Sequence, residues 1–282
     1  VYSPQHGTGN IPVRHVLADL GYDVVPVEKQ CTPDPDFSAT KSPNPESPLA
    51  YEAALELADK VNADIVITTD PDCDRLGVAA RDSDGALRLM TGNQSGAVLI
   101  EYILSTHRSR GTMPERAVMV NTIVTSDLGD RICESYGVKV EKTLTGFKFI
   151  GERIARHLAM HDANYVFGYE ESYGCLIGDF VRDKDAVQAS LMLCEAAAYY
   201  KKHGKTLIDV LGELYARFGF YLDTQSNFFF RGADGQKKIA ALTAGLRREH
   251  PTTGRGLPVL RCAEICVQRR LLGRGASFRH RA

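Results

Sequence analysis

In the segment ITTDPDCDRLGV, Asp70, Asp72 and Asp74 stand on alternate positions, straight after the apolar run Ile65-Val66-Ile67 and straight before Arg75. Side chains of an extended loop alternate with a period of two, so carboxylates at i, i+2 and i+4 point to one side. Three unneutralised carboxylates converging there would repel, and each would resist ionising beside the others. A divalent cation removes that conflict. Hard oxygen donors with few other ligands favour Mg²⁺, which keeps coordination positions for water or a phosphate oxygen. A solvated acidic loop is the plainer reading of an Asp-x-Asp pair on its own, so the flanking residues must decide.

Several alternatives fail or weaken on those flanks. An EF-hand counted from Asp70 needs Gly at its sixth position and Glu at its twelfth, where the chain has Arg75 and Arg81. A haloacid-dehalogenase-type phosphatase, in which Asp70 would be the nucleophile, usually carries Thr or Val two residues beyond the second Asp, where this chain has Asp74. Gly7 and Gly9 make no P-loop, because the GK[ST] ending is absent. His6, beside that turn, reads as structural, with no catalytic partner identifiable by spacing. The seven cysteines are scattered and odd in number, which suits free thiols better than a disulfide framework. Cys262 and Cys266 lack a second ligand pair with zinc-finger spacing.

The stretch DPDCDRLG resembles the metal-binding loop of the α-D-phosphohexomutases, the phosphoglucomutases and phosphomannomutases, whose pattern is Asp-x-Asp-x-Asp-Arg. Four further segments agree in order: SPQHGTG at 3–9, KSPNPE at 41–46, TLTGFKFIGE at 143–152, and GYEESYG at 168–174 followed by VRDKDA. FYLDTQSNFFFRGADG at 220–235 is similar to the entry of the family's fourth domain. The resemblance implies a Mg²⁺-dependent phosphosugar mutase that interconverts hexose 1- and 6-phosphates, glucose foremost, through a bisphosphate. Phosphoryl transfer needs mainly positioning and electrostatic stabilisation, so a metal ion with a cationic side chain is a sensible minimum.

Carried over by motif, Asp70, Asp72 and Asp74 hold Mg²⁺ and Arg75 faces the phosphate. Glu170 and Ser172 bond adjacent sugar hydroxyls, since a carboxylate accepts and a hydroxyl both donates and accepts. Lys184 aligns with a lysine used near the substrate, with Arg182 beside it, and the neighbouring cations are expected to depress its pKa. Thr145 and Gly146 lie in the strip that helps select sugar orientation, where Phe147 is equally suited to the core. The chain departs from the family pattern at Tyr169, usually Gly, and at Gly174, where the mannomutase-like branch often carries His. The phosphoserine motif of the family's first domain and the phosphate-gripping SGT loop of its fourth do not occur in the sequence. We therefore expect a partial mutase, inactive alone, with an Arg-rich end after about residue 261 that fits a truncated or out-of-frame reading. The opening VYSPQHGTG begins in mid-strand, which agrees. Phosphopentomutase or glucose-1,6-bisphosphate synthase activity of the same family, a non-catalytic Mg²⁺ and sugar-phosphate binding module, and a metal-dependent phosphatase are the competing readings.

The elements that must position these residues follow from hydrophobic period and turn residues. Strands are predicted at 1–2, 23–27, 64–69, 117–120, 138–142 and 165–167, with a hairpin turning at Asp84-Gly85. Helices are predicted from about Pro12 to Gly21 and at 49–61, 97–105, 126–135, 147–157, 185–201, 205–217 and 236–249. Five prolines among polar residues make 31–48 a long loop. Strands alternating with helices argue for an α/β class with mainly parallel pairing. The expected organisation is two successive mixed-sheet α/β domains, 1–110 for the metal and 111–217 for the sugar, then an incomplete third unit at 218–282.

At 282 residues with 44% hydrophobic content, the chain can supply such cores. Its 34 basic and 35 acidic residues nearly cancel, so no global field draws it to nucleic acid or an anionic membrane. No run of about twenty apolar residues marks a membrane span. A cytoplasmic monomer acting on a phosphosugar is the expectation.

Overall fold

The computed structural model describes residues 1–223, 230, 232–249, 253–254 and 257–258. Residues 1–223 form one compact unit and 224–282 a second. In the first, a four-stranded sheet is built from β1 (Tyr2–Ser3), β2 (Ile65–Thr69), β3 (Leu76–Arg81) and β4 (Leu87–Met90), in that order. Only β1 and β2 run parallel; β2 with β3 and β3 with β4 are antiparallel, with Ile67 opposite Val78 and Ala79 opposite Leu89. A second sheet has the order β6 (Lys139–Thr143), β5 (Ala117–Thr122), β7 (Asn164–Tyr169) and β8 (Cys175–Leu176). There β5 pairs parallel with β6 and β7, and β8 returns antiparallel. Both sheets are thus mixed, and the mainly parallel pairing expected from sequence holds only in the second.

Helices α1 (Asn10–Asp19) and α2 (Glu52–Lys60) belong to the first half of this unit, and α4 (Asp127–Ser135), α5 (Phe147–Met160), α6 (Ala186–Lys202) and α7 (Leu207–Phe218) to the second. Between the sheets runs α3 (Gly92–Arg110), packed on α4, α6 and α7 and on β3 and β4. It starts five residues before the predicted boundary. Thr91 accepts the Gln94 N–H while the Gln94 side chain accepts the Thr91 N–H, so a reciprocal cap nucleates a polar first turn that hydrophobic period cannot reveal. The strand predicted at 23–27 reduces to a single bridge between Pro26 and Tyr2, in which Tyr2 N–H donates to the Val25 carbonyl and Val27 N–H to the Tyr2 carbonyl; the next donor along that edge would be Pro4, which has no N–H. The two-residue β8 was missed. A strand that short carries no period.

A continuous core joins the sheets, running from Tyr2, Leu17 and Val78 through Leu99, Ile100, Met119 and Phe167 to Leu193 and Leu214. Central strand β5 is buried along its whole length, as its AVMVNT composition suits. All five cysteines among the described residues are free thiols. Cys262 and Cys266, the Arg-rich end and residues 224–229 and 231 of the 220–235 resemblance lie outside the described residues. The second unit contributes α8 (Gly232–Arg248) and an antiparallel pair of two-residue strands, β9 (Thr253–Gly254) and β10 (Leu257–Pro258). No helix among the described residues is long and apolar enough to cross a membrane.

The departure at Tyr169 has a packing explanation. Its side chain turns into the core and is wedged between Gly96 of α3 and Gly129 of α4; a methyl at Gly96 would lie 2.5 Å from its ring, and one at Gly129 2.3 Å from its hydroxyl. An Ala in mid-helix is ordinarily worth about 1 kcal/mol over Gly. Overpacking against a fixed ring costs about 1–3 kcal/mol, so the clash wins. Gly96→Ala is expected to lower the free energy of unfolding, and the midpoint of a urea transition checks it.

Candidate active site

All of the sequence-assigned residues lie on loops: 70–75 after β2, 144–146 after β6 and 170–174 after β7, each at the carboxyl end of its strand, and 177–185, which follows the antiparallel β8 and returns to it through the Asp185 N–H on the Cys175 carbonyl. Such loops are where ligands of twisted α/β sheets bind, because the helices that follow leave a crevice there.

The first of these loops folds around Asp70, which is 6% exposed. Its Oδ1 accepts the N–H groups of Asp74 at 3.0 Å and Arg75 at 2.9 Å, so the carboxylate acts as the hub of its own loop. Cys73 takes a left-handed backbone conformation with φ 60°, and its N–H closes the turn on the Asp70 carbonyl at 3.0 Å. The turn from 3 to 9 packs beneath: Thr8 N–H donates to the Pro71 carbonyl at 2.9 Å, and a methyl at Gly7 would fall 2.5 Å from the Pro71 Cα. The role of SPQHGTG is therefore to floor the acidic loop. His6 Nδ1 lies 2.7 Å from the Thr32 carbonyl oxygen, while its Nε2 is buried without a hydrogen bond.

Carboxylate oxygens of Asp70, Asp72 and Asp74 lie within 4.8 Å of one another. Burial pushes the Asp70 carboxyl up to about 7, with Asp74 and Asp72 adding to the shift and the Arg75 N–H opposing it. Asp74 Oδ1 is buried and accepts no hydrogen bond. A hard-oxygen donor set with one oxygen buried and unpartnered fits a small divalent cation. Two cations flank the cluster. Arg75 Nε sits 3.4 Å from Asp70 Oδ2 and 3.6 Å from Asp74 Oδ1, and Lys184 Nζ 2.8 Å from Asp74 Oδ2.

The acidic loop and the 170–174 loop meet through the backbone. Arg75 pairs with Gly174 in an antiparallel bridge, Leu76 N–H donates to the Tyr173 carbonyl at 2.9 Å, and Ala186 N–H to the Cys73 carbonyl at 3.1 Å. Gly174 leaves room for the Lys184 stem, since a methyl there would lie 2.1 Å from Lys184 Cδ and the stem would have to move. Lys184 is held with its stem on Gly174 and its ammonium 5.6 Å from the Phe147 ring centroid. Burial works to lower its pKa, but Asp74 and Asp183 outweigh that and the net shift is upward. Without metal, Lys184 is thus shifted upward, and Arg182 gives it none of the depression expected from sequence. Arg182 is not its neighbour in charge, because that guanidinium turns back on the Asp179 and Val181 carbonyls of its own loop.

Glu170 is buried and accepts the Gly146 N–H at 2.8 Å, which ties the 144–146 loop to the 170–174 loop. Burial raises its pKa, opposed by that N–H and by Lys184. Gly146 has φ 110°, a conformation that favours glycine. Ser172 is half-buried, Thr145 and Arg182 are exposed, and Phe147 belongs to the core. The acidic triplet, Arg75, Lys184, Gly174, Glu170 and Gly146 therefore form one linked group, which Arg182 does not join.

Two acidic residues at the site had no assigned role. Glu171 Oε2 accepts the hydroxyls of Thr122 at 3.1 Å and Thr125 at 3.2 Å, bracing the 170–174 loop against the end of β5. Glu46 pairs with Arg75 at 2.9 Å. Its place in KSPNPE was visible, but nothing in the spacing joins it to a residue 29 positions away.

Comparison with known proteins agrees with this arrangement. Residues 1–85 match the model of phosphoglucomutase/phosphomannomutase alpha/beta/alpha domain II, and residues 91–218 that of domain III. A phosphoglucomutase of Staphylococcus haemolyticus is 40% identical over 261 residues, covering 92% of this chain and 46% of the relative. One of Staphylococcus aureus is 41% identical over the same length and shares. The chain thus spans about half the length of the curated relatives it matches. Among solved structures, one named as a phosphomannomutase of Thermus thermophilus has a TM-score of 0.58 at 26% identity, covering 76% of this chain and 44% of that one. The fold is also that of parafusin, a phosphoglucomutase from Paramecium, with a TM-score of 0.56 at 20% identity over 78% of this chain and 37% of that one. With both domain models matched in order over residues 1–85 and 91–218, the chain belongs to the phosphoglucomutase/phosphomannomutase family.

Proposed function

We propose that this chain supplies the metal-binding and sugar-binding parts of a Mg²⁺-dependent phosphohexose mutase that interconverts hexose 1- and 6-phosphates, with glucose the favoured sugar. The observation that supports the reading is the backbone pairing of Arg75 with Gly174, by which the acidic loop lies against the loop that carries Glu170 and Ser172. Asp70, Asp72 and Asp74 would hold the ion, whose chemistry is to neutralise charge on the transferring phosphoryl group. Arg75 adds a fixed guanidinium suited to phosphate oxygens. Glu170 commits one oxygen to the Gly146 N–H and keeps the other for a sugar hydroxyl, with Ser172 two residues on for its neighbour. Lys184 stays protonated beside Asp74, which suits it to donate to a phosphate oxygen rather than to abstract a proton. Neither Glu170 nor Ser172 distinguishes glucose from mannose by itself, since both grip hydroxyls by generic hydrogen bonds.

Substrate recognition is tested by calorimetric titration of glucose 1-phosphate in saturating Mg²⁺. Glu170→Ala is expected to weaken binding roughly tenfold to hundredfold, the scale of one charge-assisted hydrogen bond. Unchanged affinity would remove Glu170 from the site. With catalytic glucose 1,6-bisphosphate present, we expect no isomerisation by this polypeptide alone, because the sequence has no phosphoserine motif. Measured turnover would overturn the partial-mutase reading, and phosphate release abolished by Asp70→Asn would favour a phosphatase.

Metal binding makes a separate prediction. Asp70 has its folded pKa raised to about 7, so without metal its stabilising contribution is full below the unfolded value near 4 and is lost as pH rises through 7. The ion needs the ionised carboxylate. Apparent Mg²⁺ affinity should therefore fall about tenfold for each pH unit below 7, one proton being displaced per ion. Titration at pH 8, 6 and 5 checks this slope. Asp72→Asn is expected to weaken Mg²⁺ binding and leave the unfolding midpoint nearly unchanged.

A further inference from the structure

The Arg75 guanidinium stands between two demands: phosphate recognition requires it beside the metal cluster, and attraction to Asp70 and Asp74 would draw it into that cluster. We infer that Glu46 is a positioning residue for Arg75, holding its guanidinium off the Asp70 and Asp74 carboxylates and so keeping their oxygens open to a divalent cation. This rests on the metal reading above.

The distances divide the guanidinium unequally. Its Nη1 makes a 2.9 Å hydrogen bond to Glu46 Oε1, while its Nε stays 3.4 Å from Asp70 Oδ2 and 3.6 Å from Asp74 Oδ1. A charge-assisted N–H to carboxylate bond normally closes to about 2.7–2.9 Å, so only the Glu46 contact is fully made. Asp74 Oδ1 meanwhile is buried without a hydrogen bond, although a cation stands within reach. The main chain of Arg75 is pinned by its N–H on Asp70 Oδ1 and by the bridge to Gly174. Side-chain torsions alone therefore decide whether the guanidinium closes on the carboxylates.

Glu46 is held rigidly enough to settle that question. Its N–H donates to Asn44 Oδ1 at 2.9 Å, and the preceding Pro45 carbonyl accepts the buried Tyr51 hydroxyl at 3.0 Å. Tyr51 and Pro45 lie against Gly77 of β3, where a methyl would fall 2.0 Å from the Tyr51 hydroxyl and 2.7 Å from Pro45 Cβ. The proline-rich loop is thus fastened to the strand that begins one residue after Arg75. Both side chains are about one-third exposed, at 34% for Glu46 and 35% for Arg75. A pair so exposed adds little to folding, and its consequence is where the positive charge sits.

The test is a double-mutant cycle read by calorimetric titration of Mg²⁺ alone into the 282-residue chain at pH 8. Glu46→Ala is expected to weaken Mg²⁺ binding about tenfold, the scale of losing an orienting partner of a metal site. Glu46→Gln, which keeps an acceptor and the shape, should lose less. In the Arg75→Ala background, Glu46→Ala should change the affinity by less than about twofold, since the residue to be restrained is gone. Thermal unfolding monitors folding, and Glu46→Gln alone carries the cycle if Glu46→Ala does not fold. Affinity unchanged by both Glu46 variants overturns the inference while leaving the metal reading intact. An equal loss in the Arg75→Ala background also overturns it, because Glu46 would then act on the ion directly. No Mg²⁺ binding by the unaltered chain refutes the metal reading and this inference together.

Discussion

Crowding of negative charge at the end of β2 governs the architecture of this surface. At an effective dielectric of about 20, two carboxylates some 4 Å apart repel by roughly 4 kcal/mol, and here three share a space with oxygens inside 4.8 Å of each other. The fold answers with groups that each need their own scaffold. Backbone N–H donors come from the tight loop around Asp70, a guanidinium from the last residue of the loop between β2 and β3, and an ammonium from the segment leading into α6. Asp74 Oδ1 is left unsatisfied, and a buried carboxylate oxygen in that condition is a donor that a divalent ion suits.

The same crowding explains why two sheets must be locked together. Lys184 reaches Asp74 only because its stem lies on Gly174, and Gly174 is adjacent because Arg75 pairs with it. Backbone strain is present at these contacts: Gln5, His6, Cys73 and Tyr173 are four of the eight described non-glycine residues in left-handed conformations. Each such residue costs about 1–3 kcal/mol and persists only where surrounding structure over-determines it. Here the determinants are the buried hydrogen bonds of Gln5 and the turn packed under Pro71, with the bridge at Arg75 completing them. Glu171, braced by Thr122 and Thr125, ties the 170–174 turn to the buried strand β5. The 70–75 and 170–174 loops therefore form one continuous body within residues 1–223, so a change of charge at Asp70 has a short covalent and hydrogen-bonded path to Glu170.

Much of the α/β alternation was legible because strands such as Ile65–Thr69 and Ala117–Thr122 carry apolar runs bounded by polar turns. What escaped was short or polar. The first turn of α3 is stabilised by a reciprocal cap rather than by burial of a periodic stripe, and β8 is two residues long. The strand expected at 23–27 had the right composition, but its partner strand runs into Pro4, which has no N–H to continue the ladder, and a single bridge is left.

For the site, the residue types by themselves determined that three carboxylates crowd positions 70, 72 and 74, but they converge through the turn that the Cys73 N–H closes on the Asp70 carbonyl and not through the extended alternation expected from sequence. They determined equally that Glu170 and Ser172 offer an acceptor and a hydroxyl two residues apart. Only the tertiary structure decided which cations answer that charge. Arg182 lies two residues from Lys184 and bonds its own loop, whereas Glu46, 29 residues from Arg75, grips it. It decided the direction of the Lys184 shift as well, because that depends on Asp74, which faces the ammonium from a loop more than a hundred positions away, adding to the neighbouring Asp183. Coulomb energy depends on distance in space, which a linear order of residues does not contain until the sheets have brought the loops together.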